Sequence, residues 1–387
     1  MRIKDKNTCP YADYCGGCQM QGIPYAQQLN KKEARMNQLL GRFHSVNPIL
    51  GMQDPYHYRN KINASFAYAD HRVICGNYVE STHMIVESKD CQINDEKANE
   101  IIESIRVLAQ KYRISIFNED TLKGGLRHVM IRVSSLGEIM VVLVCGSMSV
   151  MHLDELVKEL KKKYPEITTV VLNQNNRHTS MVLGNQTKTL YGKGYITDQL
   201  CGLDFRVSPK SFFQVNKRQT EALYNTAIRM AHFEGKETLI DAYCGTGTIG
   251  LLCAKHVKEV IGVELNKDAI KDAVINAKNN RVDNIRFVAD DAGNFMRSLV
   301  REKKKIDAVI LDPPRKGADR KFLDALLTLS PKKVVYISCG PESLKENLAY
   351  LTKRGYQIRE IQPVDMFPFT NHIETVVLLS RTGEKPR

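Results

Sequence analysis

One cysteine of this sequence stands where a nucleophile would be useful. Cys339 follows the apolar run 334–337 and comes directly before Gly340-Pro341. Such a run, stopped by turn residues, predicts a buried parallel strand, and open α/β sheets bind their ligands at the carboxyl ends of strands. A thiolate placed there can attack a substrate covalently and later leave again. The alternative is a small buried thiol at a strand end, because free cysteines are often core residues.

A glycine-rich loop follows a second apolar strand and has the spacing G-x-G-x-x-G. Its glycines are Gly245, Gly247 and Gly250, and Thr248 lies where the next helix begins. Glu264 ends the following apolar strand, where a carboxylate can accept both hydroxyls of a ribose. The pattern fits either a dinucleotide or an adenosyl ligand, and a glycine-rich turn without a ligand is the third interpretation.

Three acidic features favour S-adenosylmethionine over a dinucleotide. Asp241 precedes the glycine loop, near the place of the cofactor's ammonium group. Asp290 and Asp291 end the third strand, where an adenine amino group needs an acceptor. An Asp-Pro-Pro sequence at 312–314 follows the fourth strand, and such a turn is typical of methyltransferases that act on planar nitrogen heterocycles. Its two prolines fix φ and make a rigid loop under a flat base.

A cluster of cysteines near the start has the chemistry of metal ligands. Cys9, Cys15 and Cys18 form a C-x5-C-x2-C motif, and a fourth ligand would complete a zinc site or a cubane iron–sulfur cluster. Cys91 is the best candidate for that ligand, while Cys75 competes but follows two strand-forming residues. Spacing alone leaves iron–sulfur, zinc and unligated thiols open.

The elements that must position these residues follow an α/β pattern. Alternating strands and helices over the last 180 residues predict a doubly wound sheet, after an α/β region and a basic amphipathic helix. The predicted strands lie at 62–68, 72–79, 129–134, 138–145, 168–173, 180–183, 238–241, 259–263, 284–288, 306–311, 333–337, 356–364 and 373–380, and the predicted helices of the first half lie at 26–43, 94–111 and 150–163.

Charge predicts a polyanionic partner. The chain of 387 residues has 56 Lys and Arg against 43 Asp and Glu, which gives a net charge of +13 and a pI near 9.2. The stretch Tyr56–Lys61 interleaves aromatic and cationic side chains, as suits contact with RNA bases and phosphates, or else forms an ordinary strand with a solvated face. No apolar run approaches the roughly 20 residues of a membrane span, and no signal peptide is visible, so we expect a cytoplasmic protein.

Together these motifs resemble the RNA uracil-C5 methyltransferases, in particular the bacterial iron–sulfur members that act on 23S ribosomal RNA. The matching pieces are the four cysteines and the stretches 211–216, 241–250, 311–317, 337–339 and 365–374. The resemblance implies a C-terminal Rossmann-like class I methyltransferase domain at 201–387, a central α/β RNA-binding domain at 21–200, and a cysteine segment at 1–20. It further implies S-adenosylmethionine, a [4Fe–4S] cluster held by Cys9, Cys15, Cys18 and Cys91, and 23S rRNA as partner, with no obligate protein partner.

The resemblance also implies roles for individual residues. The residues that it assigns to cofactor or substrate contact are Gln214, Tyr243, Gly245, Gly247, Thr248, Glu264, Asp291 and Asp312. Larger relatives begin with a small β-barrel that binds RNA. Here the cysteine motif starts at residue 9, so we expect the smaller form, in which the central region carries more of the RNA binding.

The chemistry of uracil then predicts two catalytic residues. Carbon 5 is a poor nucleophile, but a thiolate that adds at carbon 6 makes it an enolate carbon, so Cys339 is the expected nucleophile. A base must then remove the carbon-5 proton, and Glu374 is the expected base, with His372 as an alternative. Three other functions stay open: an RNA amino-methyltransferase that uses the Asp-Pro-Pro loop, a tRNA uracil-C5 methyltransferase, and an iron–sulfur NAD-dependent oxidoreductase.

Overall fold

The computed structural model describes residues 8–79, 82 and 84–382, which form two seven-stranded sheets and a small two-stranded one. The first part contains helices α1 (Ala12–Cys15) and α2 (Tyr25–Leu40), strands β1 (Lys61–Ala69), β2 (Arg72–Tyr78) and β3 (Ile85–Val86), helix α3 (Glu96–Lys111), strands β4 (Leu126–Val133) and β5 (Ile139–Cys145), helix α4 (Leu153–Lys163) and strands β6 (Ile167–Gln174), β7 (Gln186–Gly192), β8 (Ile196–Leu200) and β9 (Leu203–Val207). Among these residues, none of the helices combines the length and the apolar character needed to cross a bilayer.

The second part alternates helices and strands as the sequence predicts. It contains α5 (Lys217–Ala231), β10 (Thr238–Ala242), α6 (Thr248–Ala254), β11 (Glu259–Glu264), α7 (Lys267–Asn279), β12 (Ile285–Ala289), α8 (Ala292–Arg301), β13 (Ala308–Leu311), α9 (Arg320–Leu329), β14 (Lys333–Ser338), α10 (Pro341–Thr352), β15 (Tyr356–Val364) and β16 (Glu374–Arg381). All seven strands predicted for this part are confirmed within a few residues at their ends.

The C-terminal sheet has the order β12-β11-β10-β13-β14-β16-β15. Strands β10 to β14 run parallel, and β16 pairs antiparallel with both β14 and β15. The chain leaves β10 toward β11 and later returns to its other side as β13, so a switch point opens between β10 and β13. The predicted Rossmann-like α/β fold is therefore confirmed.

The other large sheet has the order β3-β2-β1-β4-β5-β6-β7 and is mainly antiparallel, with β5 and β6 as its parallel pair. Helices α3 and α4 contribute Ile101, Ile105 and Leu156 to the core that they share with Ile131 and Val141 of the central strands. This apolar stripe on each helix explains why both lie on the sheet.

The N-terminal helix α2 packs on the C-terminal sheet. Its Met36 and Leu40 are fully buried in the same apolar cluster as Tyr336 of β14 and Leu348 of α10. The sequence-based division at residues 20 and 200 stays a prediction, but the buried face of α2 contributes to the C-terminal core.

The strand predicted at 180–183 is wrong. Residues 180–183 form a loop, and the adjacent strand β7 begins at Gln186. The Asn175 side-chain amide donates to the backbone carbonyls of Met181 and Val182 at 2.7 and 3.1 Å, which satisfies groups that a ladder would otherwise pair. Val182 and Leu183 pack against a core cluster to which both large sheets contribute, which explains why they are apolar.

Candidate active site

The glycine loop lies at the carboxyl end of β10, beside the switch point. Tyr243, Gly245 and Gly247 have φ values of +64°, +56° and +79°, so the turn uses the left-handed region three times within five residues. The Glu264 carboxylate accepts from the Gly245 amide at 3.2 Å, and the Asp241 carboxylate accepts from the Gly250 amide at 2.7 Å. Two acids at neighbouring strand ends thus hold both ends of the loop.

Two glycines of this loop differ in what surrounds them. A Cβ at Gly250 would lie 2.7 Å from Asp241 Oδ2, so this glycine allows the helix to approach the strand. A Cβ at Gly245 would meet nothing within 4 Å, which leaves open space above the loop. The other oxygen of Asp241, Oδ1, is buried and has no hydrogen-bond partner among the described residues. An open cradle next to an unpaired buried carboxylate oxygen fits a bound ligand with a donor group, as the ammonium of S-adenosylmethionine would be.

A pocket of about 390 Å³ opens over the loop. Five residues expected to contact the cofactor or substrate line it, together with Phe212, Phe213 and Tyr224; the five are Gln214, Tyr243, Gly245, Thr248 and Asp312. Tyr224 is buried on α5, a helix that sequence reasoning missed. The Asn216 cap and the spacing of Leu223, Ala227 and Met230 were the signals that could have revealed this helix.

Two other expected cofactor residues have structural duties in this structure. Both Glu264 oxygens accept backbone amides, from Gly245 and from Asn266. Asp291 caps helix α8 by accepting from Asn294 and also pairs with Lys321 at 3.2 Å. These hydrogen bonds, with the backbone bond to Asn294 the largest cause, hold the pKa of Asp291 below its usual value. Neither carboxylate lines the pocket over the loop.

Cys339 and Glu374 are brought together by the register of the sheet. Ser338, the last residue of β14, pairs with Thr375 of β16, so the next step of this ladder sets Cys339 opposite Glu374. Glu374 is 4% exposed, and its partner on the other side is Val364, the last residue of β15. Cys339 is half-buried.

The charged groups near Cys339 have opposite effects on the pKa of its thiol. Burial raises the pKa of Cys339 to about 11, and the negative charges of Glu374 and Asp312 add to that rise, whereas Arg315 lowers it. Burial, followed by repulsion from Asp312, raises the pKa of Glu374 well above its usual value. Burial also raises the pKa of Asp312 to about 7. A carboxylate with a raised pKa is a stronger proton acceptor, as a general base near neutral pH requires.

The Asp-Pro-Pro loop packs against the turn that carries the thiol. A Cβ at Gly340 would lie 2.4 Å from the Arg315 carbonyl oxygen, so a glycine is needed where the two backbones meet. Ser343 donates to the same carbonyl at 2.7 Å. Arg315 was not among the expected site residues, although it directly follows the two prolines. Its fixed backbone keeps a cation within electrostatic range of Cys339.

The alternative base, His372, is an exposed residue beside Arg315. The guanidinium donates to His372 Nε2 at 3.4 Å, and a guanidinium has no acceptor, so this nitrogen carries no proton in that contact. Burial and then the neighbouring cations, with Arg315 first among them, lower the pKa of His372. Glu374 is buried and lies opposite the thiol, one register step beyond the Ser338–Thr375 pair. It is therefore better placed to serve as a base.

The three cysteines of the N-terminal motif share one pocket with Cys91. Cys9, Cys15, Cys18 and Cys91 line a mainly apolar cavity of about 350 Å³, while Cys75 is buried elsewhere in the core. Within residues 8–79, 82 and 84–382, no group of three or more His, Cys, Asp or Glu side chains is arranged to hold a metal ion. The four thiols therefore line one cavity without being arranged as metal ligands in this structure, although thiolates are the ligands that zinc and iron–sulfur clusters take.

The tyrosines of the stretch Tyr56–Lys61 contact a distant part of the same chain. Tyr56 stacks at a tilt on Phe369 with 5.1 Å between ring centroids, and buried Tyr58 donates to the Pro368 carbonyl at 3.1 Å. These tyrosines pack instead of presenting faces for bases. Arg59 and Lys61 stay partly exposed, and burial followed by Arg132 and Arg59 lowers the pKa of Lys61 to about 8.

Comparison with known proteins decides the family. The sequence profile described as tRNA (Uracil-5-)-methyltransferase matches residues 24–382. The chain belongs to this family. Proteins of Clostridium tetani and Oceanobacillus iheyensis, both named uncharacterized RNA methyltransferases, are 39% identical over 384 residues and 40% identical over 374 residues. The alignments cover 98% and 95% of this chain and 84% and 82% of those proteins.

A solved structure gives the same assignment. The tRNA (uracil-54, C5)-methyltransferase of Pyrococcus abyssi, in complex with S-adenosyl-L-homocysteine, superposes with a TM-score of 0.78 at 26% identity, over 94% of this chain and 86% of that one. This member of the uracil-5-methyltransferase family is therefore an S-adenosylmethionine-dependent RNA methyltransferase. The family assignment favours uracil carbon 5 over the two other enzyme classes, amino-methyltransferase and oxidoreductase.

Proposed function

We propose that this chain transfers a methyl group from S-adenosylmethionine to carbon 5 of a uridine in 23S rRNA, through a covalent adduct with Cys339. One observation carries the proposal: the β14–β16 register sets a half-buried thiol opposite a buried carboxyl group. Both groups lie within electrostatic range of Asp312, which lines the pocket over the glycine loop. A nucleophile and a base are the two groups that methylation at this carbon requires.

The addition half of the reaction belongs to Cys339. Its sulfur forms a bond to carbon 6 of uracil, and the electrons of the C5–C6 double bond move to make an enolate with a nucleophilic carbon 5. S-Adenosylmethionine supplies the electrophilic methyl group. Cys339 must be a thiolate to add, and Arg315 favours that charged form by lowering the pKa of Cys339. Asp312 and the proline loop after it orient the flat base.

The elimination half belongs to Glu374. Its carboxylate takes the proton from carbon 5, the electrons of that C–H bond restore the C5–C6 double bond, and the C6–S bond breaks to return the thiolate. Its raised pKa makes Glu374 a strong proton acceptor for this step. Because the target carbon must be accessible from both faces of the ring, we expect an unpaired or flipped uridine.

The choice of 23S rRNA depends on the cysteine pocket. The iron–sulfur members that this sequence resembles act on ribosomal RNA, and the convergence of Cys9, Cys15, Cys18 and Cys91 on one cavity supports a shared [4Fe–4S] cluster. The four residues would hold it, and the cluster would tie the N-terminal segment to the region around Cys91. Transfer RNA is the second candidate substrate, because the structural neighbour from Pyrococcus abyssi is named for a tRNA position.

A direct comparison of two RNAs tests the proposal. Purified protein is incubated with methyl-labelled S-adenosylmethionine and either transcribed 23S rRNA fragments or transcribed tRNAs, and labelled nucleosides are identified after digestion. We expect labelled 5-methyluridine from a 23S fragment and none from tRNA, with no label in the Cys339→Ala control. Labelling of tRNA alone would move the proposal to the second candidate. Label on an exocyclic amine would contradict the reaction itself.

A further inference from the structure

The loop 365–373 connects β15 to β16 and leads directly into Glu374. Val364 and Glu374 are partners at the end of the β15–β16 ladder, so the loop begins after the partner of the candidate base and ends before the base itself. It is longer than the two to five residues usual for a hairpin, and a loop of this length has no fixed shape of its own. Phe369, at its centre, adopts a left-handed φ of +65°, which persists only where surrounding contacts determine the backbone.

A buried ion pair ties this loop to helix α2. Lys32 Nζ lies 2.5 Å from Asp365 Oδ1, and the two side chains are 1% and 0% exposed. The same ammonium donates to the Phe367 carbonyl at 3.1 Å, and Tyr25 donates to Asp365 Oδ2 at 2.8 Å. Asp365 directly follows Val364, which pairs with Glu374 in the ladder. The ion pair therefore holds the backbone one residue away from the ladder partner of the candidate base.

Further contacts from the same N-terminal stretch hold the rest of the loop. The Phe369 amide donates to Gln28 Oε1 at 2.9 Å, and the Met20 amide donates to the Phe369 carbonyl at 2.9 Å. The chain on the other side of the loop also contributes, since Gln219 donates to the Asp365 carbonyl at 2.9 Å. The loop is thus fixed from the N-terminal segment and from the helix α5 side.

A buried ion pair adds little net stability, but either charge is strongly destabilising without its partner, which keeps Asp365 beside Lys32. We propose that Lys32 and Asp365 are positioning residues for the reaction: through loop 365–373 they hold Glu374 opposite Cys339 and thereby control removal of the carbon-5 proton. This inference rests on the proposed function. Neither residue touches the thiol or the pocket over the glycine loop, so their effect falls on elimination and not on addition.

The test separates the two halves of the reaction. The double variant Lys32→Met with Asp365→Asn removes both buried charges at once and leaves no unpaired ion. Single-turnover reactions with methyl-labelled S-adenosylmethionine are quenched, and denaturing gels separate labelled protein–RNA adduct from labelled free RNA. We expect the share of label in the adduct to rise at least ten-fold over wild type, while Kd values for RNA and S-adenosylmethionine stay within about two-fold. Lys31→Met, an exposed lysine on the same helix, should behave as wild type.

Each outcome decides between the alternatives. An adduct share equal to that of wild type overturns the inference, whether or not the overall rate falls, because a merely structural loss slows both halves together. If circular dichroism shows that the double variant is unfolded, Tyr25→Phe removes a single donor to Asp365 and should raise the adduct share two- to three-fold; no rise overturns the inference. The Glu374→Gln variant is the positive control for accumulation. If it yields no adduct while wild type labels RNA, the proposed role of Glu374 fails, and this inference fails with it.

Discussion

Ser338 and Thr375 are partners in the antiparallel ladder that joins β14 to β16. Ser338 precedes Cys339, which extends β14, and Thr375 follows Glu374, which begins β16. The β-sheet register therefore brings the thiol and the carboxyl group together. A shift of one residue in this register would turn one of the two side chains to the opposite face of the sheet.

The two halves of the reaction can be separated by mutation. Cys339→Ala removes the nucleophile and should abolish methylation, with S-adenosylmethionine binding within about two-fold of wild type. Glu374→Gln keeps the shape but is not a comparable base, so it should accumulate an adduct that already carries the methyl group. The readout is a shifted, labelled band on a denaturing gel.

Two further samples complete this experiment. RNA with 5-fluorouridine should trap the wild-type protein in the same way, because fluorine cannot leave as a proton does. The double variant of Cys339→Ala with Glu374→Gln should give no shifted band. A band that survives without Cys339 would show a different nucleophile, and Cys244 in the glycine loop would be the first to examine.

The charge balance around Cys339 predicts its reactivity. Glu374 and Asp312 raise the pKa of Cys339, so Glu374→Gln should lower it, while Arg315→Met should raise it. At pH 9, where a thiol with a pKa of about 11 is mostly protonated, the thiolate fraction rises about ten-fold for each unit by which the pKa falls. Because the thiolate also becomes a weaker nucleophile, alkylation by iodoacetamide should become about three-fold faster per unit. Peptide mass spectrometry follows the modification of this one cysteine.

Cys201 serves as an internal control in the same samples. Its pKa is also raised to about 11, but by burial and Glu221, so its alkylation rate should not change in either variant. Equal changes at both cysteines would indicate a global loosening of the protein. Unchanged alkylation of Cys339 in both variants would contradict the electrostatic account.

The open space at Gly245 predicts a selective loss of cofactor binding. An alanine there places a methyl group where nothing lies within 4 Å, so the cost to the fold is that of a left-handed alanine, about 1–2 kcal/mol in free energy of unfolding. Isothermal titration should nevertheless show S-adenosylmethionine binding weakened by at least ten-fold. Gly235→Ala is the matched control, because Gly235 has a φ of +83°, has the same open surroundings and lies before the other end of β10. Equal effects of the two changes on binding would argue against a ligand above Gly245.

The cysteine pocket predicts bound iron. Protein purified without oxygen should be brown and contain about four irons and four labile sulfides per chain if the centre is a cubane. Cys15→Ser should lose the colour, whereas Cys75→Ser should keep it, since Cys75 lies in the core away from the pocket. Stoichiometric zinc without labile sulfide would contradict the cluster.

The sequence predicted much of the C-terminal sheet because strand, loop and helix each have local signals there. The position of Cys339 at a strand end followed from the apolar run before it, and the expectation that Gly245 lies in a cofactor loop followed from glycine spacing. The short run 180–183 misled, because a few apolar residues occur equally in a strand and in a loop that packs on a core. Register between distant strands has no local signal, so the sequence analysis named Cys339 and Glu374 but could not set one opposite the other.

Some functional features had no sequence signal at all. Lys32 lies in a helix that the sequence predicts to be basic and amphipathic, and nothing in that pattern indicates that its ammonium is buried against Asp365. Tyr56 and Tyr58 looked suited to RNA bases, but Phe369 lies close enough to pack with both. The local sequence does not distinguish a tyrosine that stacks on an RNA base from one that packs against a distant part of its own chain.

The Lys32–Asp365 contact also has a consequence for synthesis of the protein. The two residues are separated by 333 positions, so the ribosome makes the lysine long before its partner. At about 5–20 residues per second, the interval is on the order of tens of seconds. Helix α2 is therefore synthesised long before Asp365, and before the C-terminal residues that bury Met36 and Leu40. A nascent chain that ends before Asp365 leaves the Lys32 ammonium without its buried carboxylate partner.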